Sequence, residues 1–344
     1  MMRHSIKKWL FLFSSFFTAF VLFLGLGGCI KHSVEIEEMT SAISYNDRFY
    51  DISVVDQSNI WVLGFYGKII HSKDEGKTWS IQKSGTKDAL TGVSFANVSK
   101  GWVISLNGKI LYTSDGGVTW TYQNSGTENA LMDVVFLNDT HGWIVGSNNT
   151  LLSTEDGGKE WRSCNLPGET IEDANLGLID LQESILTTVY FHDPKNGWIV
   201  GEYGTVYKTN DGGITWVSKN SGISLGNYLF DICFSDPQNG LIVAIGGRIF
   251  KTTDGGETWI SYLSPTDNAL YSISSANGEI WAVGTRGTLL TCSGDKWQNF
   301  NGHVPSLSWF REIRFVDKNQ GWIVGGSGTI LKTSNGGKEW IAMK

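Results

Sequence analysis

The sequence has few of the residues from which metal sites and disulfide frameworks are built. Four cysteines and six histidines occur among its 344 residues, and neither type shows the paired spacing of a metal site. Cys164, Cys233 and Cys292 are far apart in the chain; one disulfide among them is compatible with the sequence, but nothing requires it. We interpret them as small buried hydrophobic side chains and predict neither a metal ion nor a cofactor.

Signatures of several other function classes are also absent. The chain has no glycine-rich phosphate loop and no nucleophile elbow. It has 27 basic and 34 acidic residues, a formal net charge of −7. Loss of the first 28 residues would leave 24 basic residues against 34 acidic ones, a charge of −10. An acidic exported domain is a poor candidate for nucleic-acid binding.

Proline is scarce as well, with 5 residues, whereas the chain has 42 glycines and 15 tryptophans. Many glycines and aromatic residues with little proline indicate short strands joined by tight turns. The hydrophobic content of 41% is sufficient for a large core.

The first 28 residues differ from the rest. Arg3, Lys7 and Lys8 precede the uncharged run WLFLFSSFFTAFVLFLGLGG, which is typical of an export signal. The run is also long enough for an uncleaved membrane anchor. It ends in LGGC (26–29), which resembles a bacterial lipobox. That resemblance implies cleavage of the signal peptide 1–28 before Cys29 and diacylation of Cys29, so we predict a membrane-anchored lipoprotein outside the cytoplasm.

The residue after Cys29 bears on its location. By resemblance to Gram-negative lipoproteins, Ile30 in place of aspartate favours the outer membrane. In a Gram-positive host the expected location is the outer face of the cell membrane, and in a photosynthetic host it is the lumen side of the thylakoid.

A unit of about 40 residues is repeated seven times along the chain. Two clear copies are GWVISLNGKILYTSDGGVTW (101–120) and GWIVGEYGTVYKTNDGGITW (197–216). The steps between copies are 41, 41, 55, 43, 40 and 41 residues. The leading positions of the seven units are Trp61, Trp102, Trp143, Trp198, Leu241, Trp281 and Trp322.

Each unit predicts four short strands, A to D. The segments show period-2 alternation and are separated by glycine turns, as in antiparallel hairpins. Four strands in a period near 40 indicate a propeller blade, whereas the coils of a β-solenoid are shorter. We therefore predict an all-β, seven-bladed propeller over 45–344, preceded by a linker at 29–44. The segment VEIEEM (34–39) could close the ring by adding to the last blade.

The octet at the end of each unit, as in TNDGGITW (209–216), joins strands C and D. An aspartate there can accept hydrogen bonds from nearby N–H groups, and the glycines permit positive φ. The octet resembles the Asp-box, or BNR repeat, of sialidases and related propellers, where it is a structural turn. We therefore predict structural and not catalytic roles for Asp74, Asp115, Asp156, Asp211, Asp254 and Asn335.

The fuller unit, F.D...GWIVG..GT....T.DGG..W, looks most like the photosystem II stability/assembly factor family of cyanobacteria and plastids. The resemblance covers roughly residues 45–344. It implies a seven-bladed propeller, often lipid-anchored or exported to the thylakoid lumen, that helps to assemble or stabilise a membrane complex. Photosynthetic members share an arginine cluster that docks acidic or membrane partners. Here only six arginines follow residue 28, and no basic patch is evident in the sequence.

Two enzyme classes share the Asp-box and are disfavoured. A sialidase needs an arginine triad to clamp a carboxylate, and its RIP signature is absent; GRIFKT (247–252) is a strand C. Sialidases also have six blades. Xyloglucan-degrading glycosidases place two carboxylates between two propellers, and this chain has length for one.

A partner is expected on the face that carries the B–C turns and D–A crossovers, because sequence variation concentrates there. One feature of this face is the insertion at 165–188, which contains five acidic residues and no basic one. It is either a solvated loop or a docking loop for a cationic partner. Its acidic residues are Glu169, Glu172, Asp173, Asp180 and Glu183.

The second feature is the crossover NGHVPSLSWFREIRF (301–315). An aromatic pair beside arginines on a loop is typical of an interface anchor, although Trp309 could equally plug the entrance of the ring. Residues of the B–C turns could contribute to the same face. The candidate partner-binding residues are Trp309, Phe310, Arg311, Arg314, Arg286, Tyr203 and Tyr66.

These observations predict a non-enzymatic, monomeric propeller scaffold that binds a protein at or in the membrane. The alternative is an extracytoplasmic propeller that binds or hydrolyses glycans. A carbohydrate site should show aromatic platforms and paired carboxylates converging on one face.

Overall fold

The computed structural model describes residues 41–167, 170–173, 177–180, 183–276, 278–294, 296–301 and 304–344. They form seven four-stranded antiparallel sheets and one two-stranded hairpin. In each four-stranded sheet the strands are adjacent in chain order, so each sheet is one sequence unit. The prediction of an all-β, seven-bladed propeller is confirmed. The predicted signal peptide (1–28), Cys29 and the segment 34–39 lie outside the described residues.

The first three blades follow one another with short crossovers. Blade 1 contains β1 (Phe49–Val54), β2 (Ile60–Gly64), β3 (Lys68–Ser72) and β4 (Ser80–Lys83). Blade 2 contains β5 (Leu90–Phe95), β6 (Gly101–Ser105), β7 (Ile110–Thr113) and β8 (Thr121–Gln123). Blade 3 contains β9 (Leu131–Phe136), β10 (Gly142–Gly146), β11 (Leu151–Thr154) and β12 (Arg162–Ser163).

The insertion at 165–188 contains an antiparallel hairpin of β13 (Thr170–Asp173) and β14 (Gly177–Asp180), and strand A of blade 4 already begins at Leu186. The acidic side chains from 169 to 180 lie outside the described part of the structure. The interpretation of this insertion as a docking loop therefore stays a prediction.

Blades 4 to 7 repeat the pattern. Blade 4 contains β15 (Leu186–Phe191), β16 (Gly197–Gly201), β17 (Val206–Thr209) and β18 (Val217–Ser218). Blade 5 contains β19 (Leu229–Phe234), β20 (Gly240–Ala244), β21 (Ile249–Thr252) and β22 (Ile260–Tyr262). Blade 6 contains β23 (Leu270–Ala276), β24 (Glu279–Gly284), β25 (Leu289–Ser293) and β26 (Lys296–Asn299). Blade 7 contains β27 (Phe310–Phe315), β28 (Gly321–Gly325), β29 (Ile330–Thr333) and β30 (Ile341–Ala342).

The strands of a blade differ in depth. Strand A of each blade lies beside strand A of the next, and β27 lies beside β1, so the seven A strands surround the central axis. Strand B is buried along its full length in six blades, because a neighbouring sheet covers each of its faces. Strand D is mostly exposed and forms the outer edge. No helix of the described residues is long and apolar enough to cross a membrane.

The leading tryptophan of a unit fills the seam between its own blade and the next. Nε1 of Trp61 donates a hydrogen bond to the carbonyl oxygen of Gly116, in the Asp-box of blade 2, at 3.2 Å. The indole also stacks on Phe95 of blade 2, with ring centroids 3.7 Å apart. Trp102 makes the same two contacts with Gly157 and Phe136 of blade 3. Each repeat is therefore completed by its successor, which explains why tryptophan and Asp-box recur together.

The Asp-box side chains are hydrogen-bonded within their own turns. In blade 2 the carboxylate of Asp115 accepts hydrogen bonds from the Thr113 hydroxyl and from the N–H and hydroxyl of Thr119, at 2.6 to 2.9 Å. In blade 7 the amide oxygen of Asn335 accepts from the Thr333 hydroxyl and the Glu339 N–H, at 3.1 and 3.0 Å. These side chains act as acceptors that shape the turn.

Blades 7 and 1 meet at the seam that closes the ring. Blade 7 has four strands of its own, and the segment before β1 packs across the seam, where Ala42 and Ile43 are half-buried against the apolar core that Trp322 shares with blade 1. The N–H of Gly328 donates to the carbonyl oxygen of Asp47 at 2.8 Å. Nζ of Lys332 bonds the backbone and side-chain oxygens of Glu75 at 3.1 and 3.2 Å.

Candidate partner-binding site

Backbone hydrogen bonds assign each turn to one of two faces. The N–H of Gly116, in the Asp-box of blade 2, donates to Ser99 of the A–B turn, so these two turns share a face. The N–H of Gly67, in the B–C turn of blade 1, donates to Asp88 of the following D–A crossover, so these share the opposite face. We call the second face the crossover face.

Aromatic and arginine side chains surround the channel mouth on the crossover face. The rings of Tyr50 and Trp309 are stacked, with centroids 6.0 Å apart. The guanidinium of Arg311 lies 5.4 Å from the ring centroid of Tyr271, a cation–π arrangement. Together they line an open concavity of about 760 Å³. We call the following residues the mouth cluster: Tyr50, Phe230, Tyr271, Arg286, Trp309 and Arg311.

Four members of the mouth cluster come from one repeated position, the second residue of strand A. A β-bulge follows the first residue of each A strand and turns the second residue toward the mouth. The equivalent residues of blades 2, 3 and 4 are Thr91, Met132 and Thr187. In blade order, the second residues of the seven A strands are Tyr50, Thr91, Met132, Thr187, Phe230, Tyr271 and Arg311. The aromatic and cationic groups therefore occupy one half of the mouth, on blades 5, 6, 7 and 1.

Three B–C turns place large side chains where glycine or asparagine is favoured. Tyr66, Tyr203 and Arg286 have φ values of 58°, 55° and 56° in the middle of their turns. A bulky residue in the left-handed region costs conformational energy, and such outliers cluster at functional sites. Tyr66 is 71% exposed, and Arg286 is also exposed. The turns therefore present these side chains on the crossover face.

A cavity of about 530 Å³ lies on the axis, along the inner A strands. Three carboxylates there, one buried (Asp51) and two half-buried (Asp133 and Asp231), link neighbouring blades, because each accepts an N–H from strand A of the next blade. The pairs are Asp51 with Val93 at 2.7 Å, Asp133 with Val189 at 3.0 Å and Asp231 with Ile273 at 2.9 Å. Burial raises the pKa of Asp51 to about 7 and that of Asp133 to about 6. These carboxylates hold the inner ring together.

The candidate residues from 309 to 314 separate in the structure. Trp309 and Arg311 belong to the mouth cluster. Phe310 is fully buried in the core between blades 6 and 7, so the expectation that it contacts a partner is corrected. The cause is its place as the first residue of β27, opposite Gly325, where its side chain points into the seam. Arg314 lines the axial cavity, where its Nη2 lies 3.2 Å from Oε1 of Glu312.

Tyr66 and Tyr203 lie outside the mouth cluster. Tyr66 packs edge-on against Phe65, whose ring lies 5.6 Å from the guanidinium of Arg48. Arg48 lines a second concavity with Tyr50 and Trp309, which links blade 1 to the mouth. Tyr203 is on the equivalent turn of blade 4, three blades away in the ring.

A family model described as "Photosynthesis system II assembly factor YCF48" matches this chain at residues 120–185 and 221–304. The curated "Photosystem II assembly lipoprotein Ycf48" of Prochlorococcus marinus (strain NATL2A) is 42% identical over 71 residues, 18% of this chain and 21% of the relative. The resemblance to the photosystem II assembly factor family is confirmed. The matched stretch spans about a fifth of the length of that curated relative.

Solved structures agree on the fold of this chain. One of "YCF48 bound to D1 peptide" has 20% identity and a TM-score of 0.68, and the match covers 84% of this chain and 94% of that one. The GH74 xyloglucanase from Xanthomonas campestris has 12% identity and a TM-score of 0.70, covering 88% of this chain and 55% of that one. The same architecture therefore occurs in a binding protein and in a glycosidase.

The arginines of this protein are concentrated on one face of the propeller. Five of the six that follow residue 28 lie on the crossover face or in the channel, whereas Arg162 lies on the outer strand of blade 3. The sequence showed no basic patch because these residues are up to 266 positions apart. The five are Arg48, Arg248, Arg286, Arg311 and Arg314.

The sequence analysis missed Tyr50, Phe230 and Tyr271. A signal was present, since all three occupy the same place in their A strands and the other blades have no aromatic residue there. Among the described residues, no group of three or more His, Cys, Asp or Glu side chains could hold a metal ion.

Proposed function

We propose that this protein is a membrane-anchored scaffold that binds a protein segment at the mouth cluster and assists assembly of a membrane complex. The observation that carries the proposal is the one-sided mouth, where aromatic rings and guanidinium groups converge from blades that are distant in sequence. Its relationship to the assembly factor family supports the same role. The structure of YCF48 with a D1 peptide shows that this fold can bind a peptide.

The chemistry of the mouth suits an extended polypeptide with an acidic or carboxylate group. Tyr50, Trp309 and Tyr271 provide flat apolar surfaces, and aromatic and arginine residues are those that most often carry binding energy at interfaces. Arg311 and Arg286 can bond a carboxylate through two parallel N–H groups. A segment lying across blades 6, 7 and 1 would contact both kinds of group.

The predicted anchor is compatible with this arrangement. The first described residues reach the ring beside the mouth, since Tyr45, Asp47 and Arg48 line the same concavity as Trp309. A diacylated Cys29 is 12 residues before Ser41, a distance of at most about 40 Å of extended chain. The lipid would therefore tether the propeller to the membrane by a short length of chain.

The proposed role is binding and not catalysis. Three carboxylates on the inner A strands, those of Asp51, Asp133 and Asp231, accept hydrogen bonds from backbone N–H groups and link the blades. Aromatic platforms at the mouth would also suit sugar rings, so glycan binding is the competing function.

The test is affinity capture of the tagged lipoprotein from crosslinked membranes, followed by mass spectrometry. The wild type should enrich one defined membrane complex. Trp309→Ala and Arg311→Ala should each reduce that enrichment by about tenfold or more, in line with the loss of an interface anchor.

Two matched controls test the position of the site. Tyr122→Ala removes an aromatic ring, and Arg162→Ala removes a guanidinium, both on outer strands away from the mouth. Both should retain the complex. If they lose it as strongly as the mouth variants, the site is wrongly placed. If glycan and no protein is retained by the wild type, carbohydrate binding replaces this proposal.

A further inference from the structure

The seam between blades 5 and 6 departs from the repeat at several positions. Leu241 replaces the leading tryptophan of blade 5, and Ser275 replaces the phenylalanine that ends strand A in five of the blades. The octet of blade 6 is shortened and lacks the paired glycines that receive an indole elsewhere. This is the seam where the described chain lacks both stacked rings.

The departures leave a cavity of about 390 Å³ that reaches the core. Its inner wall contains Cys233, Leu241, Ile280 and Cys292, and Trp297 and Tyr262 line its sides. Polar groups of the A–B turn of blade 5, including Asp236 and Asn239, line the rim on the Asp-box face. This volume is within the usual range of ligand pockets, about 300–1,000 Å³.

At the other seams, the space that corresponds to this cavity is filled by the side chain of the leading tryptophan. Six of the seven leading positions carry an indole, and Trp61 and Trp102 show its contacts with the next blade's Asp-box and phenylalanine. Ile280 takes the place of the glycine that faces a phenyl ring in other blades, and so fills part of the space. The remaining cavity is lined by apolar and aromatic groups and opens to solvent.

We propose that the cavity between blades 5 and 6 binds a tryptophan side chain presented by a partner polypeptide. The ring would enter from the Asp-box face and pack between Trp297, Tyr262 and Leu241, in the place that an intrinsic indole occupies at other seams. Nζ of Lys251 lies 5.6 Å from the ring centroid of Tyr262, at the edge of the same cavity. The site is on the face opposite the mouth cluster, so it would engage a second segment or a second protein.

The test is titration of the protein with N-acetyl-L-tryptophanamide, followed by calorimetry or ligand-observed NMR. Saturable binding is expected, with N-acetyl-L-leucinamide at least about tenfold weaker because it cannot fill the planar space. Leu241→Trp supplies the missing indole and should weaken binding of the ligand by about tenfold or more. Trp309→Ala should leave the affinity unchanged, which separates this cavity from the mouth.

A second readout avoids the risk that Leu241→Trp folds poorly. In the wild type, the ligand should slow alkylation of Cys233 and Cys292, measured by peptide mass spectrometry, while Cys164 on blade 3 serves as the internal control. Equal affinity for both amides, binding lost in Trp309→Ala but kept in Leu241→Trp, or unchanged alkylation of Cys233 and Cys292 would each overturn the proposal.

Discussion

The ring of Phe95 lies directly against the backbone of Gly101, its partner on the adjacent strand. A Cβ atom on Gly101 would come within 2.5 Å of three ring carbons of Phe95. The same phenylalanine–glycine pair occurs in blades 3, 4, 5 and 7. In blades 1 and 6, where the phenylalanine is replaced by Val54 and Ser275, the opposite residue is isoleucine. A phenylalanine on strand A and an isoleucine on strand B therefore fill the same space in the seam, and only one of the two is present in a blade.

Gly101→Ala should destabilise the fold by about 1–3 kcal/mol, because the new methyl group overpacks the seam. In a Phe95→Ala background the same change should cost much less. A double-mutant cycle by urea unfolding measures this coupling. Additive effects of the two substitutions would show that the contact between ring and backbone does not select glycine.

Loss of an Asp-box acceptor should lower stability without affecting partner binding. Asp115→Ala removes three hydrogen bonds from its turn, whereas Asp115→Asn should be milder, because Asn335 makes two corresponding bonds in blade 7. Melting temperatures at neutral pH should therefore fall in the order wild type, Asp115→Asn, Asp115→Ala. A larger loss in the asparagine variant than in the alanine variant would contradict it.

Acid should weaken the same turns. Hydrogen bonds from the hydroxyl and N–H of Thr119 hold the pKa of Asp115 at about 2, and Asp74 and Asp211 have similar values. Since the folded-state pKa is lowered, this stabilisation is present above the ordinary value near 4 and is lost as the pH falls toward 2. The melting temperature of the wild type should fall in that range, and Asp115→Asn should show a smaller fall.

The axial carboxylates should have the opposite pH dependence. Burial raises the pKa of Asp51 to about 7, so the folded state binds more protons than the unfolded state between about pH 4 and 7. The contribution of Asp51 to stability therefore falls as the pH rises through that window. Asp51→Ser should flatten the dependence, because the hydroxyl of Ser272 already accepts the N–H of Ile313 at the equivalent position of blade 6. An unchanged profile of melting temperature against pH would assign the titration to other groups.

Binding at the mouth should depend on ring shape and on salt. With the captured partner, Trp309→Ala should cost about 2 kcal/mol, roughly 30-fold in Kd, whereas Trp309→Phe should keep most of the affinity. If the arginines bond an acidic group, higher salt should weaken binding to the wild type more than to an Arg286→Ala, Arg311→Ala double variant. Equal salt dependence in both proteins would show that Arg286 and Arg311 do not contact an acidic group of the partner.

The ring-closing seam should depend on the segment before β1. A chain that begins at Ser41 retains the packing of Ala42 and Ile43, whereas one that begins at Arg48 loses it together with the hydrogen bond to Gly328. We expect the shorter chain to be less stable by about 2 kcal/mol in urea unfolding. Equal stability would show that blades 7 and 1 close the ring without this segment.

The repeat by itself determined the number of blades and their strand order. These features follow from local patterns: strand alternation, turn residues and the spacing of Trp61, Trp102 and their equivalents. Each pattern depends only on contacts within one blade or with the adjacent blade. For the same reason the replacement of tryptophan by Leu241 was visible in the sequence, but the cavity beside it was not.

Only the tertiary structure decided which residues meet at the mouth. Closing the ring places Tyr50 of the first blade on Trp309, which precedes the last, although 259 positions separate them. It also separated Trp309 from Phe310, neighbours in the chain, because the second is the first residue of a strand whose side chain enters the seam. Proximity around an axis and the direction of a side chain depend on how blades pack, and a linear pattern does not contain that information.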